Sequence, residues 1–185
     1  MSRRLNAVTT DTILDRHLFA LADGDDGEGL ESPHETGGWV TAGRASVLVE
    51  SPYDNLDAIL RLEEWDGEPD PEPDDGRGPW DDVVTVSMEC SGVNGNLGIN
   101  QITMGWDDSG FALSRPGRFH VRLACRNGAA AQQAYSDARA RFAESDWNGP
   151  ECAQALENVG VKEEYLVQFW PAVTSPSGTG DAPAS

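Results

Sequence analysis

Apolar and polar residues alternate with a period of two along several stretches of this chain. The clearest runs from Val83 to Cys90. Val84, Val86, Met88 and Cys90 share one side of an extended backbone, and Thr85, Ser87 and Glu89 share the other, which predicts a half-buried strand. Arg118–Arg126 repeats the pattern, with Phe119, Val121, Leu123 and Cys125 facing one way and Arg118, His120, Arg122 and Arg126 the other. Further strands are expected at Ala45–Glu50, Ala58–Trp65 and Glu164–Trp170. Pro171 ends the last because it has no backbone donor for the ladder. Asn94-Gly95 accepts positive φ and predicts a hairpin from Val83–Cys90 into Leu97–Ile99. Pro116-Gly117 predicts a turn between Phe111–Leu113 and the arginine-bearing strand.

Two segments carry a helical period. Ala131, Ala134, Tyr135, Ala138 and Phe142 form one stripe within Ala130–Ala143. Pro150–Asn158 has proline near its start and Gly160 beyond its end. Ile13–Ala22 fits a helix through Leu14, Leu18 and Leu21 and a strand through His17, Phe19 and Leu21; the β-rich surroundings favour the strand. Short strands, tight turns and Gly/Asn/Asp loops point to a mainly β fold. The expected form is an antiparallel β-sandwich with one or two short helices inserted before the last strand. The expected organisation is a flexible N-terminus over residues 1–10, one sandwich domain over 11–172 and a disordered tail over 173–185. Residues 23–38 and 66–79 read as acidic loops.

Charge adds the strongest constraint. Asp and Glu number 32 against 13 Lys and Arg, for a formal net charge of −19, and Lys162 is the only lysine. Such a surface repels nucleic acid and anionic membranes and favours cations or basic proteins. No segment has the roughly 18 apolar residues of a membrane span, and residues 1–15 lack a signal-peptide hydrophobic region, so a cytoplasmic location is expected. Cys90, Cys125 and Cys152 have no close spacing, which suits reduced structural thiols better than disulfides or zinc.

No catalytic pattern emerges. His17, His34 and His120 are the only histidines, and none has a nucleophile at a recognisable spacing. Asp23–Glu28 resembles a calcium loop but places glycine at its fifth position, where a ligand is required. Asp81-Asp82 and Asp107-Asp108 each follow a tryptophan and keep a calcium- or carbohydrate-binding sandwich as the alternative reading. Arg118, Arg122 and Arg126 suit cross-strand pairing with acids such as Glu89 or Glu164. No cofactor is expected.

The densest acidic run is Glu63–Asp75, where four glycine or proline positions, Gly67, Pro69, Pro71 and Pro73, interrupt the carboxylates. A run of this kind can be a solvated loop, or it can present charge to a basic partner. The expected partner-binding residues are Glu63, Glu64, Trp65, Asp66, Glu68, Asp70, Glu72, Asp74, Asp75, Trp80, Asp81 and Asp82, with Trp65 as the anchor candidate.

The layout of Trp80–Gly92, then Arg115–Cys125, then the closing Glu163–Ala172 resembles small bacterial β-sandwich proteins of the ComJ-like family, which inhibit a DNA-entry nuclease. The resemblance covers about residues 40–172 as a layout, and no functional residue is carried across. It implies a cytosolic protein that acts by binding another protein. Taken with the charge, the expected function is that of a non-enzymatic inhibitor or immunity protein that neutralises a basic partner such as a nuclease or toxin.

Overall fold

Two β-sheets face each other across a shared apolar core. The computed structural model describes residues 2–24, 35–53, 55–73, 75–92, 94–101, 103–142 and 149–172. The strands are β1 (Arg4–Ile13), β2 (Leu18–Asp23), β3 (Glu35–Gly37), β4 (Val40–Ala42), β5 (Ser46–Glu50), β6 (Asp57–Trp65), β7 (Asp82–Cys90), β8 (Asn96–Asn100), β9 (Trp106–Ala112), β10 (Gly117–Arg126) and β11 (Glu163–Pro171). Helices α1 (Gly128–Ala140) and α2 (Pro150–Glu157) lie between β10 and β11. One sheet has the order β1-β6-β11-β10-β7, and the other β3-β4-β5-β2-β8-β9.

The period-two rows supply the core. Leu60 and Leu62 of β6, Val86 and Met88 of β7, Phe119, Val121 and Leu123 of β10, and Tyr165, Val167 and Phe169 of β11 point inward from the first sheet. Phe19, Leu21, Val47, Val49, Leu97, Ile99 and Phe111 meet them from the second. The Phe19 and Tyr165 rings pack edge-to-face at 5.2 Å, and Phe111 and Phe169 lie 5.8 Å apart across the same interface. Both helices fall where their periodicity places them, with Ala131, Tyr135 and Ala138 of α1 and Cys152 of α2 buried.

Five features differ from the sequence expectation. Residues 4–10, expected to be flexible, form most of β1, which pairs with β6 from Arg4 to Ile13. Its inward row, Asn6, Val8, Thr10 and Thr12, holds a single aliphatic, so the half-buried edge strand carries little hydrophobic signal. Ile13–Ala22 is extended, as favoured, but is split between two strands by a tight turn at Arg16 and His17, both at positive φ.

The expected β7–β8 hairpin does not form, because β7 and β8 belong to different sheets. The turn instead carries the chain across the sandwich. The buried Asp23 carboxylate of β2 accepts the Ser91 and Gly92 backbone N–H groups at 2.6 and 2.9 Å and pins this corner to the second sheet. Gly95 sits at φ 63°, where a Cβ would lie 2.2 Å from the Leu113 carbonyl oxygen.

β3 begins inside the stretch read as the first acidic loop. Finally, the sandwich is not wholly antiparallel: β11 pairs parallel to β6, from Glu163↔Ala58 to Phe169↔Glu64. His34, Asp74 and residues 173–185, which carry the tail expectation, lie outside the described residues.

Candidate functional site

Topology dictates the path of the acidic run. β6 and β7 run in the same direction but are separated in their sheet by β11 and β10. Parallel strands of one sheet cannot be joined by a tight turn. The connection over residues 66–81 therefore crosses the outer face of the sheet, over β11 and β10. That outer face presents Arg122 and Arg126 from β10, and Glu164, Leu166, Gln168 and Trp170 from β11.

The crossing is tied down step by step. Asp66 accepts the Arg3 backbone N–H at 2.7 Å. Arg122 Nη1 then donates to the Asp70 carbonyl at 2.6 Å, and its Nη2 to Glu68 Oε1 at 3.2 Å. Farther along, Arg126 donates from Nη1 and Nη2 to the two Asp75 carboxylate oxygens at 2.9 and 2.7 Å, and to the Gly78 carbonyl at 3.2 Å. Glu164 Oε2 takes the Arg126 Nε and Nη2 groups at 3.0 and 2.6 Å. The crossing ends where the Asp81 N–H donates to the Cys125 carbonyl and Asp81 Oδ2 accepts the Asn127 N–H.

These contacts bury the two arginines to 4% and 3% exposure. Aromatic rings complete the cover: the Arg126 guanidinium carbon lies 4.2 Å from the Trp80 ring centre, and that of Arg122 lies 5.0 Å from Trp170. A desolvated cation over a tryptophan face gains about 2 kcal/mol from the ring quadrupole. The Arg126 fork holds the Asp75 carboxyl well below the usual carboxylate range against the pull of burial, and Arg77 assists. Burial draws the Arg122 guanidinium below its ordinary value, and Glu68 and Asp70 oppose that shift.

The predicted partner-binding residues consequently separate into two groups. Glu63 and Glu64 are 4% and 2% exposed. Glu63 Oε1 accepts Arg4 Nη1 and Arg61 Nε at 2.9 and 2.8 Å, and its Oε2 accepts Trp65 Nε1 and Gln168 Nε2, each at 3.0 Å. Burial alone would raise the Glu63 pKa, but these donors, Gln168 and Arg61 foremost, lower it. Glu64 turns to the other side of β6 and accepts both the N–H and the hydroxyl of Ser114. With Asp75, these carboxylates are committed within the fold. Asp66, Glu68, Asp70, Glu72, Asp81 and Asp82 are exposed. Asp70 Oδ1 accepts the Glu72 N–H, and Asp82 Oδ2 accepts Trp39 Nε1.

Trp65 and Trp80 are both half-buried. Trp65 forms a wall of a cleft of about 260 Å³ between the crossing and the sheet, with Arg61, Pro69, Pro73, Leu166 and Gln168 around it. Glu89 and Glu164 were expected as partners of Arg118, Arg122 and Arg126 as a set; Glu164 does pair with Arg126, and the bond from Arg126 to Asp75 was not expected. Period-two placement shows that the arginines share a face; it does not show that a loop returns to cover them.

The acids behind the calcium alternative have local partners. Asp107 Oδ2 accepts Gln101 Nε2, and Asp108 Oδ1 accepts the Gly110 N–H. Among the described residues no group of three or more His, Cys, Asp or Glu side chains is placed to hold a metal ion, and no helix is long and apolar enough to cross a membrane.

A fold of this kind occurs in another solved structure. The chain is similar to the solved structure of ComJ, inhibitor of the DNA degrading activity of NucA, from Bacillus subtilis. The likeness covers 93% of this chain and 99% of that one at 13% identity, with a TM-score of 0.51. A chain described as crocagin biosynthetic gene J is also similar, at 14% identity and a TM-score of 0.45, covering 91% of this chain and 100% of that one. The likeness to ComJ is one of fold. No family model and no curated protein matches the chain.

Proposed function

We propose that this protein is a non-enzymatic, cytoplasmic binding protein that neutralises a basic partner, a nuclease or a toxin, through its acidic crossing. The observation that carries the reading is the anchoring of that crossing. Buried Arg122 and Arg126 fix its backbone, while Glu68, Asp70 and Glu72 remain exposed. A carboxylate surface ordered before the encounter avoids the entropy of ordering a loop on binding. At a net charge of −19 it also attracts a basic protein over distances of about a Debye length, roughly 8 Å at physiological salt. The shared fold with a nuclease inhibitor supports the choice of a nuclease as partner.

The test is inhibition of basic nucleases by the purified protein at equimolar amounts, measured at low and at physiological salt. Inhibition that weakens with salt, and is lost when Glu68, Asp70 and Glu72 are neutralised together, is the expected result. Inhibition indifferent to both treatments, or absent for every basic nuclease tried, would overturn the reading.

A further inference from the structure

The first sheet ends in a strand whose outer edge meets no other strand among the described residues. β1 runs for ten residues and hydrogen-bonds as a strand only to β6. Sheet edges are templates for pairing, and proteins blunt them with charge, proline, short length or cover. The opposite edge of this sheet, β7, is covered: Glu35 of β3 accepts the Ser87 N–H and hydroxyl, and Trp39 reaches Asp82. In the second sheet β3 is only three residues long, and β9 carries Asp107 and Asp108.

β1 has little of that protection. It contains neither proline nor lysine, and Val8, Thr9, Thr10, Thr12 and Ile13 are strong strand formers. Its ionisable residues are Arg4 and Asp11, so the strand is neutral in a chain of charge −19. Leu5 and Ile13, at 42% and 37% exposure, are apolar side chains left open at this edge.

We propose that β1 is a self-association edge, where a second copy of this chain adds its own β1 antiparallel about a two-fold axis at Val8. Charge complementarity selects the second copy and its register. With Val8 opposite Val8 of the second copy, Asn6 faces Thr10 and Ala7 faces Thr9. The ladder with β6 skips Leu5, so Arg4 and Ala7 face the outer side with Thr9 and Asp11. Skipping the same residue in the new ladder sets Arg4 opposite Asp11, twice by symmetry. The Asp11 side chain is 72% exposed and that of Arg4 46% exposed, so each can take a second partner beside Lys162 and Glu63. The two five-stranded sheets then become one, and both acidic crossings lie on the same side of it. This inference does not depend on the proposed function.

The experiment is sedimentation velocity on the intact chain at concentrations up to about 100 μM, with circular dichroism to confirm that each variant is folded. The wild type is expected to dimerise. Asp11→Arg, which sets arginine against Arg4, and Val8→Lys, which sets like charges against each other on the axis, should each weaken the dimer about tenfold or more. Combining Arg4→Asp with Asp11→Arg should restore it. A wild type that stays monomeric over the whole range overturns the proposal, as does a dimer indifferent to both single substitutions.

Discussion

Arg126 and Asp75 meet through two parallel hydrogen bonds, the shorter 2.7 Å, although 51 residues separate them in the chain. The same guanidinium binds Glu164 and lies against Trp80, so one side chain holds the acidic crossing to two strands at once. Replacing Arg126 by alanine leaves the partly buried Asp75 and Glu164 carboxylates with Arg77 alone, and a loss of about 1–3 kcal/mol is expected from urea unfolding. Arg126→Lys keeps the charge but not the fork and should fall between the two. Protease cleavage within residues 66–81 should rise in the same order.

The two groups of carboxylates should behave differently. Neutralising Glu68, Asp70 and Glu72 together should abolish partner binding at a cost of about 1–2 kcal/mol in stability, most of it from Glu68, the carboxylate paired with buried Arg122. Glu63→Gln and Glu64→Gln should each lower the melting temperature, because each disturbs donors that converge on a buried carboxylate. Paired melting and binding curves for the triple variant and the two single variants check both halves.

Acid should weaken the hold on the crossing only below the ordinary carboxylate range. The pKa values of Asp75 and Glu63 are lowered by the fold. For a lowered carboxylate, the stabilisation is complete above the unfolded-state pKa and is lost as pH falls through the folded-state value. Stability from these groups should therefore hold down to the ordinary carboxylate range, near 3.8 for Asp75, and drain away below it. Trp65 and Trp80 fluorescence followed from pH 6 to about pH 2 should change only at the acidic end, and Asp75→Asn should remove much of that pH dependence.

Gly95→Ala should destabilise strongly. A methyl group there meets the Leu113 carbonyl at 2.2 Å, in a backbone conformation at φ 63° that L-residues rarely adopt. Strain and clash together exceed about 2 kcal/mol. Chemical denaturation should show a lowered midpoint with an unchanged slope.

The thiols should be inert in the native state. Burial, reinforced by the negative charges of Asp82 and Glu163, pushes Cys125 up to about 12. Cys90 and Cys152 are buried outright. Titration with a thiol reagent at pH 8 should be slow until denaturant is added, and then count three groups.

Much of the fold was legible because alternation reports which face of a strand is buried. β7, β10 and β11 appear almost to the residue, and the stripe of Ala131, Tyr135 and Ala138 located α1. Alternation says nothing about partners, which is why the β7–β8 hairpin was expected and the parallel β6–β11 pair was not. β1 was missed because threonine and asparagine occupy its inward row. At the candidate site, the charge of the acidic run was evident from composition. That Glu63, Glu64 and Asp75 are consumed internally follows only from which way β6 faces and where the crossing passes.

The order of synthesis gives the parallel pair a further meaning. β11 is made after every other strand among the described residues, yet it lies in the middle of its sheet, between β6 and β10. Until it inserts, β1 and β6 are parted from β10 and β7, and the acidic crossing bridges a gap. A nascent chain that stops before residue 163 lacks the strand that joins these halves. This sheet therefore cannot assemble strand by strand as the chain leaves the ribosome, and its closure waits for residues 163–171.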